Sequence, residues 1–100
     1  MKNESEIRRT KRAGRQFSES IATAKIFKKQ ELGSKIAVII PGSLCSSVKR
    51  NRTRRIFFEA FREVIDVLPY SVDVIVYPKA IAIQKGKNEA RSFLERALGI

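Results

Sequence analysis

The chain has 100 residues, of which 43% are hydrophobic, and 21 Lys and Arg against 10 Asp and Glu give it a formal net charge of +11 at pH 7. This length allows one domain with a modest core, and the charge indicates a polyanionic partner, foremost nucleic acid and secondarily an anionic membrane surface. The absence of histidine excludes Ser–His and Cys–His nucleophiles and histidine-ligated metal sites, and the single cysteine, Cys45, excludes an intrachain disulfide and is typical of a reducing cytosol.

The N-terminal stretch is polar and basic, and it lacks the apolar segment of a secretory signal. Residues 4–13 can form a short helix that begins near Glu4 and Glu6 and ends at Gly14, or they can form a solvated arm. We therefore divide the chain into a basic arm or short helix over residues 1–13 and one domain over residues 14–100. No apolar run approaches the ~20 residues that cross a bilayer, so we expect a cytoplasmic protein.

Three stretches predict strands, and a fourth strand is possible. Residues 20–27 (SIATAKIF) predict a strand, and residues 36–40 (IAVII) form a β-branched run that predicts a strand buried on both faces, ended by Pro41-Gly42-Ser43. Residues 72–77 (VDVIVY) predict another strand, in which Asp73 faces solvent or bonds a turn. A further short strand has room between residues 30 and 40.

Two helices complete the pattern. The first runs from about residue 47 to residue 68, with Ser46 or Ser47 as N-cap and Pro69 after its end. Its predicted core face consists of Ile56, Phe57, Ala60, Phe61, Val64, Ile65 and Leu68. Because this helix joins two buried strands, we expect these strands to be parallel. A last helix has Asn88 as its predicted N-cap and stops at Gly99.

The start of the long helix carries five cations and no acid. These are Lys49, Arg50, Arg52, Arg54 and Arg55. Exposed cations at a helix N-terminus face the positive end of the macrodipole and destabilise the helix by about 0.3–1 kcal/mol each. Arginine side chains, in contrast, bind phosphate through paired hydrogen bonds. Asn51 can add a contact to a phosphate or a base. A solvated charged face is the alternative, but the next acid is only Glu59. We expect this end to project past the packed body and to bind nucleic acid.

The sequence signals for base stacking and for catalysis are weaker. Phe17 and Phe27 adjoin cations and could stack on unpaired bases. The helix carboxylates Glu59, Glu63 and Asp66 lie beside arginines, so ion pairs explain them, and no carboxylate cluster resembles a two-metal nuclease site. We therefore predict no catalytic residue and no protein-bound metal.

Residues 48–55 (VKRNRTRR) followed by 58–62 (FEAFR) resemble the signature of the bacterial ribonuclease P protein. Residues 14–18, 36–40, 73–76 and 90–98 follow the order of that family's elements, so the resemblance covers roughly residues 14–98. It implies a single α+β domain with a central mixed sheet flanked by helices, in the order α-β-β-β-α-β-α. It also implies a left-handed βαβ crossover in place of the usual right-handed one.

The resemblance implies the protein subunit of an endoribonuclease that removes the 5′ leader of precursor tRNA, in which the RNA subunit performs the hydrolysis with Mg²⁺ that it holds itself. The implied partners are ribonuclease P RNA and precursor tRNA, with no membrane and no obligate protein partner. The implied contacts with the RNA subunit are Lys49, Arg50, Asn51, Arg52, Arg54, Arg55 and Arg62. The predicted leader-binding residues are Ile7, Lys11, Arg15, Phe17, Lys25 and Phe27.

The chain departs from the family pattern in two regions. Pro41-Gly42-Ser43 replaces a Ser-Lys-Lys run, and Ile7 and Lys11 replace two aromatic residues of the first helix. Composition alone leaves open a ribosomal or ribosome-assembly RNA-binding protein without an enzymatic role. A helix-turn-helix DNA regulator is disfavoured because no short helix pair brackets a tight turn.

Overall fold

The computed structural model describes residues 3–100. In chain order, the elements are α1 (Glu4–Ala13), β1 (Arg15–Ser18), β2 (Ala22–Lys29), β3 (Lys35–Val38), α2 (Ser47–Ile65), β4 (Ser71–Pro78), a 3-10 helix (Ala80–Gln84) and α3 (Lys87–Leu98). This is the order that the family resemblance implies, but α3 begins at Lys87 with Gly86 rather than Asn88 as its N-cap. The additional short strand is β1. The prediction that it lies between residues 30 and 40 was wrong, because that stretch contains β3 alone. None of the helices described is both long and apolar enough to cross a membrane.

The strands form one mixed sheet in the order β1-β2-β4-β3. The pairs β1–β2 and β2–β4 are antiparallel, and β3 and β4, which α2 connects, are parallel as predicted. The prediction that residues 36–40 are buried on both faces was wrong, because β3 is an edge strand whose Ile36 and Ala37 are only half-buried. The central strand β4 is instead buried from Val72 to Val76.

One face of the sheet packs against α2 and α3. Alternate residues of β2 and β4, such as Ala24 and Val74, join the core with Phe57 of α2 and Phe93 of α3. The rings of Phe57 and Phe93 meet edge to face, with centroids 6.4 Å apart. Four of the predicted core positions of α2 are buried, namely Phe57, Ala60, Phe61 and Val64. The other three, Ile56, Ile65 and Leu68, are only half-buried, and the helix ends at residue 65 rather than 68.

The opposite face of the sheet carries α1. Of the two alternatives for residues 4–13, a short helix or a solvated arm, the structure shows the helix. The Asn3 side chain caps this helix by accepting a hydrogen bond from the Ser5 amide at 2.8 Å. Gly14 ends the helix where the chain turns into β1, and a Cβ there would lie 2.4 Å from the Thr10 carbonyl oxygen. Only glycine therefore allows the chain to turn this closely against the last turn of its own helix.

Candidate RNA interface

The basic segment, defined as residues 49–55, forms the first two turns of α2. Ser46 is the N-cap, and its hydroxyl accepts a hydrogen bond from the Lys49 amide at 3.3 Å. Within residues 3–100, every ion pair involves cations elsewhere in the chain, so no cation of the basic segment is neutralised by a carboxylate. The positive charge of this helix end is therefore available to an external anion.

Three arginines of the segment bind backbone carbonyls. Arg50 Nη1 donates to the carbonyl oxygens of Gly42 at 3.1 Å and Cys45 at 2.7 Å. Arg52 Nη1 donates to the carbonyl oxygen of Ile83 at 3.3 Å. Arg54 Nε donates to a carbonyl of β3 at 3.3 Å. The loop after β3 and the 3-10 helix thus flank the basic segment.

The expectation that this helix end projects clear of the packed body was wrong. Thr53, in the middle of the segment, is only 1% exposed. The sequence pattern showed the cations but not the neighbouring carbonyls, which come from distant parts of the chain. A guanidinium group has five N–H donors, so each held arginine retains donors for phosphate while its orientation is fixed. Fixing a side chain before binding reduces the entropy lost on binding.

The other residues predicted to contact the RNA subunit have fewer side-chain partners within the protein. Lys49, Arg55 and Arg62 are exposed, and no hydrogen bond or ion pair involves their side chains within the described part of the chain. Asn51 is exposed as well, and its Oδ1 accepts from Arg54 Nη1 at 3.4 Å. The amide N–H groups of Asn51 therefore remain available for an external acceptor.

Four of the six predicted leader-binding residues lie together where α1 meets the sheet. Ile7 and Lys11 are on α1, and Lys25 and Phe27 are on the facing side of β2. Lys25 Nζ donates to the Lys11 carbonyl oxygen at 3.2 Å. The guanidinium of Arg9 lies over the Phe27 ring, 4.5 Å from its centroid. We call this region the α1 cleft.

The remaining two predicted leader residues face the other side of the sheet. The Phe17 ring packs 5.7 Å from that of Phe93, and Arg15 Nη2 donates to the Ala97 carbonyl oxygen at 2.6 Å, so both contact α3. The structure thus does not bring them into the α1 cleft. Strand alternation places Gln16 and Ser18 on the cleft side instead, and Ser18 shares a hydrogen bond of 2.8 Å with Thr23.

A buried ionic cluster holds α1 on the sheet. Asp73 is fully buried, so its predicted solvent-facing or turn-bonding role was wrong. Its carboxylate lies 2.7 Å from Lys29 Nζ, whose side chain is 1% exposed, and 3.4 Å from Arg9 Nη2 of α1. Arg9 also pairs with Glu31 at 3.0 Å, and this hydrogen bond lowers the pKa of Glu31. Sequence spacing could not reveal this cluster because its members come from separate elements.

A second ion pair supports the same docking. Lys35 of β3 binds the Glu6 carboxylate of α1 at 3.0 Å, and its hydrogen bond lowers the pKa of Glu6. Within residues 3–100, His, Cys, Asp and Glu form no group of three or more that could hold a metal ion. The carboxylates near α1 are therefore engaged in positioning this helix.

Together, a four-stranded mixed sheet, an unneutralised arginine-rich helix end and a basic cleft beside the first helix define a small RNA-binding α+β protein. The family model described as Ribonuclease P matches residues 1–100. The chain therefore belongs to the ribonuclease P protein family, and the family resemblance of its sequence is confirmed.

Solved structures share the fold. The RNase P protein of Staphylococcus aureus matches with a TM-score of 0.79 and 19% identity over 99% of this chain and 91% of that chain. The RNase P protein of Thermotoga maritima in complex with 1-(4-fluorophenyl)-2-thiourea matches with a TM-score of 0.83 and 17% identity over 98% of this chain and 95% of that chain. A comparison with curated proteins gave no significant match. The predicted α+β class is thus confirmed, and nothing supports the ribosomal alternative.

Proposed function

We propose that this chain, as the protein subunit of ribonuclease P, binds the RNA subunit through its basic segment and the 5′ leader of precursor tRNA in its α1 cleft. Family membership assigns it to an endoribonuclease complex that works with ribonuclease P RNA in tRNA processing. In the proposal, the RNA subunit carries the hydrolysis and holds the Mg²⁺, and the complex acts in the cytoplasm. The observation that supports it most strongly is the group of arginines that no carboxylate of residues 3–100 neutralises.

The basic segment suits a folded RNA better than a flexible one. Arg50, Arg52 and Arg54 present guanidinium groups whose positions the backbone already fixes. A rigid set of forks matches phosphates that are themselves held in a fixed arrangement, as in a folded RNA. Lys49 and Arg55, which are exposed and unpaired, can adapt to phosphates at the edge of the contact.

The α1 cleft suits single-stranded RNA. Bases that are not paired stack on aromatic rings or on guanidinium planes, and Phe27 with Arg9 offers both in one stacked pair. Lys11 and Lys25 supply cations beside this pair for the backbone phosphates. Because Ile7 and Lys11 stand where the family has aromatic residues, phosphate contacts replace part of the stacking here.

Leader binding would favour precursor over mature tRNA, since only the precursor has a leader to occupy the cleft. An interaction that only one of two substrates can make contributes to discrimination between them. The test is the affinity of each tRNA for the ribonuclease P RNA, measured with and without this protein. We expect a protein-dependent gain for the precursor alone.

Lys25 and Lys28 form a matched pair for this test. Lys25 lies in the α1 cleft, whereas Lys28 lies on the opposite face of β2 with its Nζ over the Tyr70 ring at 4.3 Å. Lys25→Ala should reduce the gain for precursor tRNA, and Lys28→Ala should leave it unchanged. Equal gains for precursor and mature tRNA with the unaltered protein would refute leader recognition.

A further inference from the structure

A cavity outside the α1 cleft lies between the β1–β2 turn, the 3-10 helix and α3. Its volume is about 460 Å³, which falls within the roughly 300–1,000 Å³ of small-ligand sites. Ile21 and Ile81 give it an apolar surface, and Lys85, Asn88, Glu89 and Ser92 add polar groups. Ile81 is 44% exposed although it is a large hydrophobic residue. The cavity thus combines an uncovered apolar wall with several polar groups.

Several of these polar groups are free to bind a ligand. Neither the Asn88 amide nor the Ser92 hydroxyl has a hydrogen-bond partner within the described residues. Glu89 Oε1 accepts from the Gly86 amide at 3.1 Å, which holds this carboxylate at the start of α3 with its second oxygen uncommitted. The cavity therefore presents an unpartnered amide, an unpartnered hydroxyl and a carboxylate that one hydrogen bond holds in place.

The cavity adjoins the basic segment. Arg52 Nη1 donates to the Ile83 carbonyl oxygen at 3.3 Å and contacts that of Lys85 at 3.5 Å, and Lys85 itself lines the cavity. A nucleic acid whose phosphates lie on Arg52 would have its next nucleotides beside Lys85. Continuity with this positively charged surface favours RNA as the occupant.

We propose that this cavity binds one unpaired purine of the RNA that lies on the basic segment, with adenine preferred over uracil; this inference rests on the proposed function. The base would lie against Ile21 and Ile81. The Asn88 amide can pair with a ring nitrogen and the exocyclic amine of adenine, and the Glu89 carboxylate can accept from such an amine. Uracil has no exocyclic amine and covers less apolar surface. Lys85 would contact the adjoining phosphate.

The experiment compares fluorescently labelled pentamers of adenylate (A5) and uridylate (U5), titrated with the full chain and followed by anisotropy. The ratio of their dissociation constants is the readout, because the attraction of phosphates to the basic segment is common to both and cancels. One well-formed amide–base pair predicts a preference for A5 of about fivefold or more. Raising the salt concentration should weaken the binding of both pentamers and leave the ratio of their dissociation constants unchanged.

Asn88→Ala should lower the ratio several-fold by weakening A5 alone, and Ser92→Ala provides a second variant in the same cavity. Asn88 is exposed, so its truncation leaves the core intact, and thermal unfolding verifies this. As a comparison, Asn51→Ala in the basic segment should weaken A5 and U5 equally. A ratio that neither cavity variant changes would overturn the inference.

Assembly with ribonuclease P RNA, measured by gel shift on the same preparations, separates the two proposals. If the protein binds that RNA but shows no Asn88-dependent preference for A5, only the purine site is refuted. If the protein does not bind that RNA at all, the proposed function fails first.

Discussion

The arginines of the basic segment differ in the hydrogen bonds that they make within the protein. Arg50 joins two loop carbonyls to α2, at 3.1 Å and 2.7 Å, whereas Arg55 is exposed and unpaired within residues 3–100. Hydrogen bonds from charged groups contribute about 1.5–3 kcal/mol. We expect Arg50→Ala to lower the free energy of unfolding by about that amount and to weaken RNA binding. Arg55→Ala should weaken RNA binding with a stability change within about 0.5 kcal/mol.

Urea unfolding and titration with ribonuclease P RNA measure the two effects separately. Arg50→Lys is the matched control, since it retains the charge but lacks the planar guanidinium whose Nη1 donates to both carbonyls. This variant should recover part of the RNA affinity and little of the stability. Equal stability losses in Arg50→Ala and Arg55→Ala would contradict the assignment of a structural role to Arg50.

Sequence alone identified the cations of the basic segment because charge is a property of the residue itself. It did not identify which cations are held, because the carbonyls that bind Arg50 and Arg52 belong to loops without periodic patterns. Likewise, the placement of Phe17 in the leader cleft failed because a strand of four residues shows too little alternation to fix its facing. Its register against β2, with Phe17 opposite Ala24, decides that point.

At the level of the element, the packing of α1 on the sheet depends on buried charges. Asp73 is the buried anion that receives Lys29 from β2 and Arg9 from α1. Removing one partner of a buried pair leaves an uncompensated charge and costs about 3–5 kcal/mol. We therefore expect Asp73→Asn to lower the free energy of unfolding by about that amount and to loosen α1, as measured by urea unfolding and amide hydrogen exchange.

Glu31 offers a control for that prediction. It pairs with the same Arg9, but its side chain is 60% exposed, and exposed pairs contribute about 0–1 kcal/mol. Glu31→Gln should therefore change stability only slightly. A loss as large as that of Asp73→Asn would mean that the whole cluster, rather than its buried anion, holds α1.

The elements differ in how far their sequences determined them. The long apolar face of α2 and the β-branched runs of β3 and β4 predicted these elements and their parallel pairing, since periodicity and connection length are local properties. The edge position of β3 was not predictable in this way, because it depends on which strands pair with β4. Strand β2 pairs with the other side of β4, and no strand of residues 3–100 pairs with the outer side of β3.

At the scale of the whole molecule, the acids and the basic segment are separate. The carboxylates of the ion pairs in residues 3–100 bind cations of α1, β2, β3 and α3. With a net charge of +11, the uncompensated part of the charge includes the start of α2. Composition predicted a polyanionic partner and the sequence placed five cations at the start of α2, whereas the absence of carboxylate partners for them within residues 3–100 follows only from the folded arrangement.

This charge arrangement predicts a steep dependence of RNA binding on salt. About six phosphate contacts would reduce affinity roughly 10³-fold between 50 and 200 mM salt, and each removed contact should reduce the slope by about one. We expect a Lys49→Ala, Arg55→Ala double variant to reduce the slope of log affinity against log salt by about two. An Arg12→Ala, Lys28→Ala double variant removes the same charge outside the basic segment and should leave the slope almost unchanged. Filter binding of ribonuclease P RNA over a salt series measures both slopes, and equal reductions would show that net charge rather than the basic segment drives binding.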